Sequence, residues 1–148
     1  MRNDQAKLNE QKINKTIGIH RILHTMLRVK NLQASKDFYT EQLGMKILRE
    51  KKYHEGQFTL IFLGYGNESD DAVIELTYNW GENDYDKGNA FGHIALAVTN
   101  IYEVCNLLAH KGVKISRQPG PMKADSSEII AFVEDPDGYQ IELIERKN

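Results

Sequence analysis

The chain has 148 residues, 41% of them hydrophobic, and its 19 Lys and Arg stand against 21 Asp and Glu for a net charge of −2. That length suits one ordinary domain, and a balanced charge with no cationic tract excludes a nucleic-acid footprint, leaving a small molecule as the expected partner. The single cysteine, Cys105, excludes a disulfide within the chain, and a reducing cytoplasm is the expected compartment.

Residues 1–21 form a polar arm rich in Lys, Asn and Gln, with no apolar run suited to a signal peptide or a membrane span. Ala6, Leu8 and Ile13 leave open either a short helix or an arm that is mobile or bound to a partner. Residues 22–29 then alternate as a strand, with His24, Met26 and Arg28 on one face and Thr25, Leu27 and Val29 on the other. Leu32, Phe38, Tyr39 and Leu43 are spaced for a helix over 32–43, stopped by Gly44. Strands follow near 45–52, 58–63 and 72–78, with Gly64-Tyr65-Gly66-Asn67 as a turn. The order is β-α-β-β-β.

Asn79 to Phe91 reads as a linker, after which the order recurs. A strand over 92–98 leads to a helix over 101–110 with Ile101, Val104, Cys105 and Leu108 inward. Strands near 113–117, 128–134 and 139–145 complete it, and Asp135-Pro136-Asp137-Gly138 makes the last hairpin turn.

The recurrence extends to the residues themselves. His24-Thr25-Met26-Leu27-Arg28-Val29 leads to Ile74-Glu75-Leu76, and His93-Ile94-Ala95-Leu96-Ala97-Val98 leads to Ile141-Glu142-Leu143. From each His, Asn31 and Asn100 lie seven residues on, Gly44 and Gly112 twenty and nineteen, and the two Glu fifty-one and forty-nine. A single repeat of roughly 60 residues would bury only about 60% of its unfolded surface. The halves are therefore expected to share a core or to pair with another chain.

Strand alternation sets Glu75 with Val73, Thr77 and Asn79, opposite Ile74 and Leu76. It likewise sets His93 with Ala95 and Ala97, and Glu142 opposite Ile141 and Leu143. All four His and Glu thus project from the sheet face that carries no helix. A lone strand His is more often a structural residue, and a lone alternating Glu a solvated one. Four at corresponding positions favour one divalent cation held by two imidazole nitrogens and two carboxylate oxygens, which would also meet charges that are costly to bury. His20, His54 and His110 lack this support and are expected at the surface, and Cys105 is expected to be a packed, unactivated thiol.

At these residues the chain resembles glyoxalase I of the vicinal oxygen chelate superfamily. The resemblance runs from Ile22 to Arg146 and is carried by His24 to Val29, Asp37-Phe38-Tyr39-Thr40, Leu43-Gly44-Met45-Lys46, Phe62 to Gly66, Val73 to Gly81, Gly92-His93-Ile94-Ala95 and Ala131 to Tyr139. It implies an α+β fold of two βαβββ modules, 22–79 and 91–146, forming a cupped mixed sheet, the glyoxalase/bleomycin-resistance/dioxygenase-like fold. It implies metal ligands at His24, Glu75, His93 and Glu142, and a homodimer with sites at the subunit interface.

The implied reaction is that of a lactoylglutathione lyase: the methylglyoxal–glutathione hemithioacetal becomes S-lactoylglutathione, with Glu142 as main base and Glu75 as its counterpart. Arg28 and Asn79 would hold the γ-glutamyl end of glutathione, and Lys123 the glycyl carboxylate. After Lys123 the family's glycine-rich stretch is replaced by Ala124-Asp125-Ser126-Ser127-Glu128. A His at the first ligand position resembles the bacterial type, favouring nickel or cobalt, with zinc also compatible. The alternatives are another enzyme of the superfamily, such as a thiol transferase or an epimerase, and a metal-free small-molecule binding module. A two-His, one-carboxylate dioxygenase is disfavoured by the fourth ligand.

Overall fold

Each half of the repeat closes its own four-stranded mixed sheet. The computed structural model describes residues 2–147, with the side chains of 4–10 and 17–147 among them. In chain order the elements are α1 (Arg2–Ile17), β1 (His24–Arg28), α2 (Leu32–Asp37), a π-helical turn (Phe38–Gln42), β2 (Lys46–Tyr53), β3 (Phe58–Gly64) and β4 (Val73–Asn79). The second module has β5 (His93–Val98), α3 (Ile101–His110), β6 (Ile115–Pro121), β7 (Ile129–Glu134) and β8 (Gln140–Glu145). The sheet orders are β1-β4-β3-β2 and β5-β8-β7-β6. In each, the first strand runs parallel to the last and the other pairs are antiparallel. The expected α+β architecture of paired βαβββ modules is what the chain adopts.

The two equivalent Asn residues start the helices by different means. Asn31 caps α2 by accepting the Ala34 N–H at 3.0 Å, whereas the Ile101 N–H at the head of α3 is taken by Glu145 Oε2 at 3.1 Å. Gly44 and Gly112 end the helical segments at φ +73° and +82°, a backbone conformation that L side chains rarely adopt.

Two elements depart from the sequence expectation. The helix expected over 32–43 is α-helical only to Asp37; the Leu43 N–H then donates to the Phe38 carbonyl at 3.0 Å, five residues back. The wider turn lets the consecutive rings of Phe38 and Tyr39 both face the core, edge to face with centroids 5.1 Å apart. The strand expected over 113–117 instead spans Ile115–Pro121, with register shifts beside Arg117. The added residues include Pro119-Gly120-Pro121, which the sheet accepts because β6 is its edge, where a missing N–H costs no ladder bond. The Arg117 guanidinium meets the carbonyls of Ile130 at 2.6 Å and Pro121 at 2.9 Å there.

Both modules contribute to one core. Leu27, Tyr39, Ile61, Leu63 and Leu76 from the first join Ile101, Leu108, Val133, Ile141 and Leu143 from the second. Each such side chain contributes about 1.5–3 kcal/mol by leaving water. A polar clasp reinforces the joint at the β7–β8 turn. Asp137 Oδ1 accepts the Lys30 N–H at 3.0 Å, and the Tyr139 hydroxyl donates to the Arg28 carbonyl at 2.9 Å. The arm contains the helix α1, as one of its readings had it; Ala6 and Leu8 are exposed on it, and the Ile13 side chain lies outside the described residues.

Candidate metal centre and its surroundings

The same three strands of each module build the same small constellation. In the first, His24 on β1 places Nε2 2.8 Å from Glu75 Oε2 on β4, and Phe62 on β3 stands edge-on to the imidazole at 5.4 Å and 79°. In the second, His93 on β5 places Nε2 2.9 Å from Glu142 Oε2 on β8, with Phe132 on β7 at 5.2 Å and 81°. The register causes this, since Phe62 lies opposite Glu75 and Phe132 opposite Glu142 in their antiparallel pairs. Each His is thus gripped between a ring and a carboxylate. The two Phe residues escaped the sequence reading, although each occupies the same place in its module.

The side chains differ in exposure within each pair. The imidazoles are 37% and 41% exposed, whereas the carboxylates are 12% and 13%. Among the described residues no Lys or Arg forms an ion pair with either Glu; Arg49 lies over the Phe62 ring at 3.5 Å and feels the Glu75 charge, but its guanidinium is paired to Glu68 at 2.9 Å. An imidazole nitrogen beside a poorly solvated carboxylate that has no ion-pair partner from Lys or Arg is a donor set that fits a divalent first-row metal. One asymmetry separates the two halves. Glu75 Oε1 accepts the Thr77 hydroxyl at 3.0 Å, while the corresponding position beyond Glu142 is Ile144, which offers no such bond.

Within one chain the two pairs stay apart. Each belongs to a separate sheet, and no group of three or more His, Cys, Asp or Glu suited to a metal is found among the described residues. The structure therefore brings His24 to Glu75 and His93 to Glu142, but does not unite the four around a centre inside a single subunit. Among the described residues the outer edges of β1 and β5, the first strands of their sheets, have no pairing strand.

The remaining predicted residues fall in two places. Arg28 is exposed at the end of β1, and Asn79 at the end of β4 donates from Nδ2 to the Tyr85 hydroxyl at 3.1 Å. Lys123 is exposed in the β6–β7 loop, whose acidic residues are already engaged. Asp125 accepts the Ser127 N–H at 3.0 Å and hydroxyl at 2.6 Å, which hold its pKa below the usual carboxylate value. Glu128 pairs with Arg146 at 2.7 Å. His20, His54 and His110 are exposed, as expected. Cys105 is buried, and burial pushes its thiol pKa up, away from reactivity.

The glyoxalase/bleomycin resistance protein/dioxygenase superfamily model matches residues 21–143. The chain belongs to this superfamily. A probable lactoylglutathione lyase of Synechocystis is 59% identical over 84% of this chain and 94% of its own length. The lactoylglutathione lyase of Salmonella typhimurium is 58% identical over 86% of this chain and 94% of its own. Glyoxalase I from Zea mays superposes with a TM-score of 0.82 at 44% identity, covering 86% of this chain; this chain spans only 45% of the longer maize chain. The trypanothione-dependent glyoxalase I of Leishmania major superposes with a TM-score of 0.77 at 46% identity, over 86% of this chain and 87% of its own. No helix among the described residues is long and apolar enough to cross a membrane.

Proposed function

We propose that this chain is a metal-dependent lactoylglutathione lyase that converts the methylglyoxal–glutathione hemithioacetal to S-lactoylglutathione, with residues 22–146 as the catalytic domain. The observation that carries the reading is the twice-built His–Glu pair, in a chain that is 56–59% identical to lyases of that name over 84–86% of its length. His24 and Glu75 of one subunit and His93 and Glu142 of a second would hold one metal, nickel or cobalt in preference to zinc. Separate pairs and unpaired edges on β1 and β5 support a homodimer with the site between its subunits. A cytoplasmic setting supplies the reduced thiol such a substrate requires.

When bound, the divalent ion supplies Lewis acidity toward the negative charge that develops on the substrate oxygens. The protein supplies the proton traffic. Glu142, free of the hydroxyl bond that Glu75 holds, takes the proton from the carbon bearing sulfur. The electron pair left behind forms a carbon–carbon double bond and pushes the carbonyl pair onto its oxygen. The proton is then delivered to the adjacent carbon while the hydroxyl proton of the sulfur-bearing carbon passes to the former carbonyl oxygen, so the thioester carbonyl and the new hydroxyl form together and atoms and charge balance. Glu75 serves on the opposite side of the same centre. Arg28 suits the α-carboxylate of the γ-glutamyl end by its fork of donors, Asn79 reinforces it, and Lys123 offers a cation to the glycyl carboxylate.

The test follows thioester formation from methylglyoxal and glutathione by metal-stripped protein reloaded with nickel, cobalt or zinc. Turnover is expected only with metal, highest with nickel or cobalt. No turnover with any of the three overturns the reading.

A further inference from the structure

The linker between the modules forms one wall of a cavity beside β1. This cavity, about 230 Å³, is lined by Met26, Arg28, Tyr85, Asp86, Lys87, Phe91 and Tyr139. Phe91 and Tyr139 form aromatic walls, edge to face with centroids 6.1 Å apart. Two cations line the space, and neither Arg28 nor Lys87 forms an ion pair among the described residues. Of the nearby carboxylates, Asp137 receives the Lys30 N–H and the Ser35 hydroxyl and Glu134 pairs with Lys114 at 2.9 Å, while Asp86 binds the Gly88 N–H through Oδ1 at 2.8 Å, so two cations face one lining carboxylate. Lys87 is fixed rather than free to wander. Its ammonium donates to the Asp137 carbonyl and lies 5.5 Å from the centre of the Tyr139 ring, which leaves two N–H donors for a ligand. The Tyr85 hydroxyl, held by Asn79, ties the same stretch of linker to β4.

We propose that Lys87 is a specificity-determining residue that joins Arg28 in binding a carboxylate headgroup of the thiol substrate. The inference rests on the lyase reading for the identity of that thiol. A paired ammonium and guanidinium around a small, aromatic-walled space selects a carboxylate over a neutral group of the same shape, because a carboxamide offers the second cation no charge to match and one acceptor oxygen in place of two. The linker thereby acts on ligand choice, not only on the connection between modules.

Binding of S-methylglutathione, and of its analogue whose glutamyl α-carboxylate is a carboxamide, is measured by calorimetry on the metal-loaded wild type, Lys87→Met and Lys87→Arg. The wild type should prefer the carboxylate probe. Lys87→Met should bind that probe roughly tenfold more weakly, as expected for loss of a partly exposed charge-assisted contact, while the carboxamide is held as before and Lys87→Arg keeps the preference. In turnover the Met variant should show a raised KM and an unchanged kcat. A preference equal in wild type and Lys87→Met overturns the proposal, and so does a wild type that does not distinguish the probes. A wild type that distinguishes them but forms no thioester removes the lyase reading and leaves the role of Lys87 standing. The preference ratio is a readout that a role confined to holding the hairpin does not move.

Discussion

The hydroxyl of Tyr39 donates to Asp135 Oδ2 across 2.8 Å, joining a π-helical turn of the first module to the last hairpin of the second, and both residues are buried. Burial and the Asp135 charge push the Tyr39 phenol far above its usual pKa, so it remains a donor throughout the working pH range. The other oxygen of Asp135 accepts the N–H groups of Asp137 at 2.9 Å and Tyr139 at 2.8 Å. One carboxylate therefore shapes the turn and locks it to the other module.

Tyr39→Phe removes the single donor to Oδ2 while leaving the carboxylate buried. Unfolding in urea should show a loss of about 1–3 kcal/mol, with the slope against denaturant unchanged. A loss below a few tenths of a kcal/mol would show that the clasp adds nothing to the packing around it.

Stability should also follow the ionisation of Asp135. Burial, the largest influence, raises its pKa above the usual carboxylate value, and its hydrogen bonds act in the opposite direction. A carboxyl whose folded pKa exceeds its unfolded one holds its proton more tightly in the native state. Its contribution is present below about pH 4 and is lost as pH rises through the folded value. Asp135→Asn abolishes this titration, so the variant should gain on the wild type as pH is raised through the acid range. Urea midpoints for both proteins across that range check the sign; a constant difference contradicts it.

A site shared between subunits makes a prediction that a site inside one chain does not. His24→Ala and His93→Ala should each be inactive alone. Mixed after dissociation and reassociation, they should recover up to about a quarter of the wild-type rate, because the heterodimer regains one site with both native pairs. No recovery, with heterodimer demonstrated by mass, places the pairs in separate functions.

Chelation should lower stability as well as activity. A metal present at about 100 times its Kd adds roughly 2.7 kcal/mol to the native state, and the increment should vanish in Glu75→Gln. An unfolding curve that does not respond to added nickel, cobalt or zinc counts against the four-residue site.

Much of this was legible because the repeat signals itself. Strand alternation placed His24, Glu75, His93 and Glu142 on equivalent faces, and the pairs meet at 2.8 and 2.9 Å where the strands lie side by side. Gly44 marked a helix end because few other residues adopt its backbone angle. The π-helical turn was not legible, since it arises from both Phe38 and Tyr39 seeking the core, a demand of tertiary packing. The extension of β6 through Pro119-Gly120-Pro121 was hidden for a related reason: whether proline is tolerated in a strand depends on that strand being an edge, which composition does not reveal. Lys87 went unnoticed because its partners, Arg28 and Tyr139, are remote in sequence.

The duplicated frame is furnished unequally. Beyond His24 on the site face come Met26 and Arg28, long side chains that fill space and carry charge; beyond His93 the same positions hold Ala95 and Ala97. When two such faces oppose one another, one wall is upholstered and the other nearly bare. Any molecule lodged between them must be lopsided, with a bulky, anionic limb lying along the first wall and a slender reacting end set against the second.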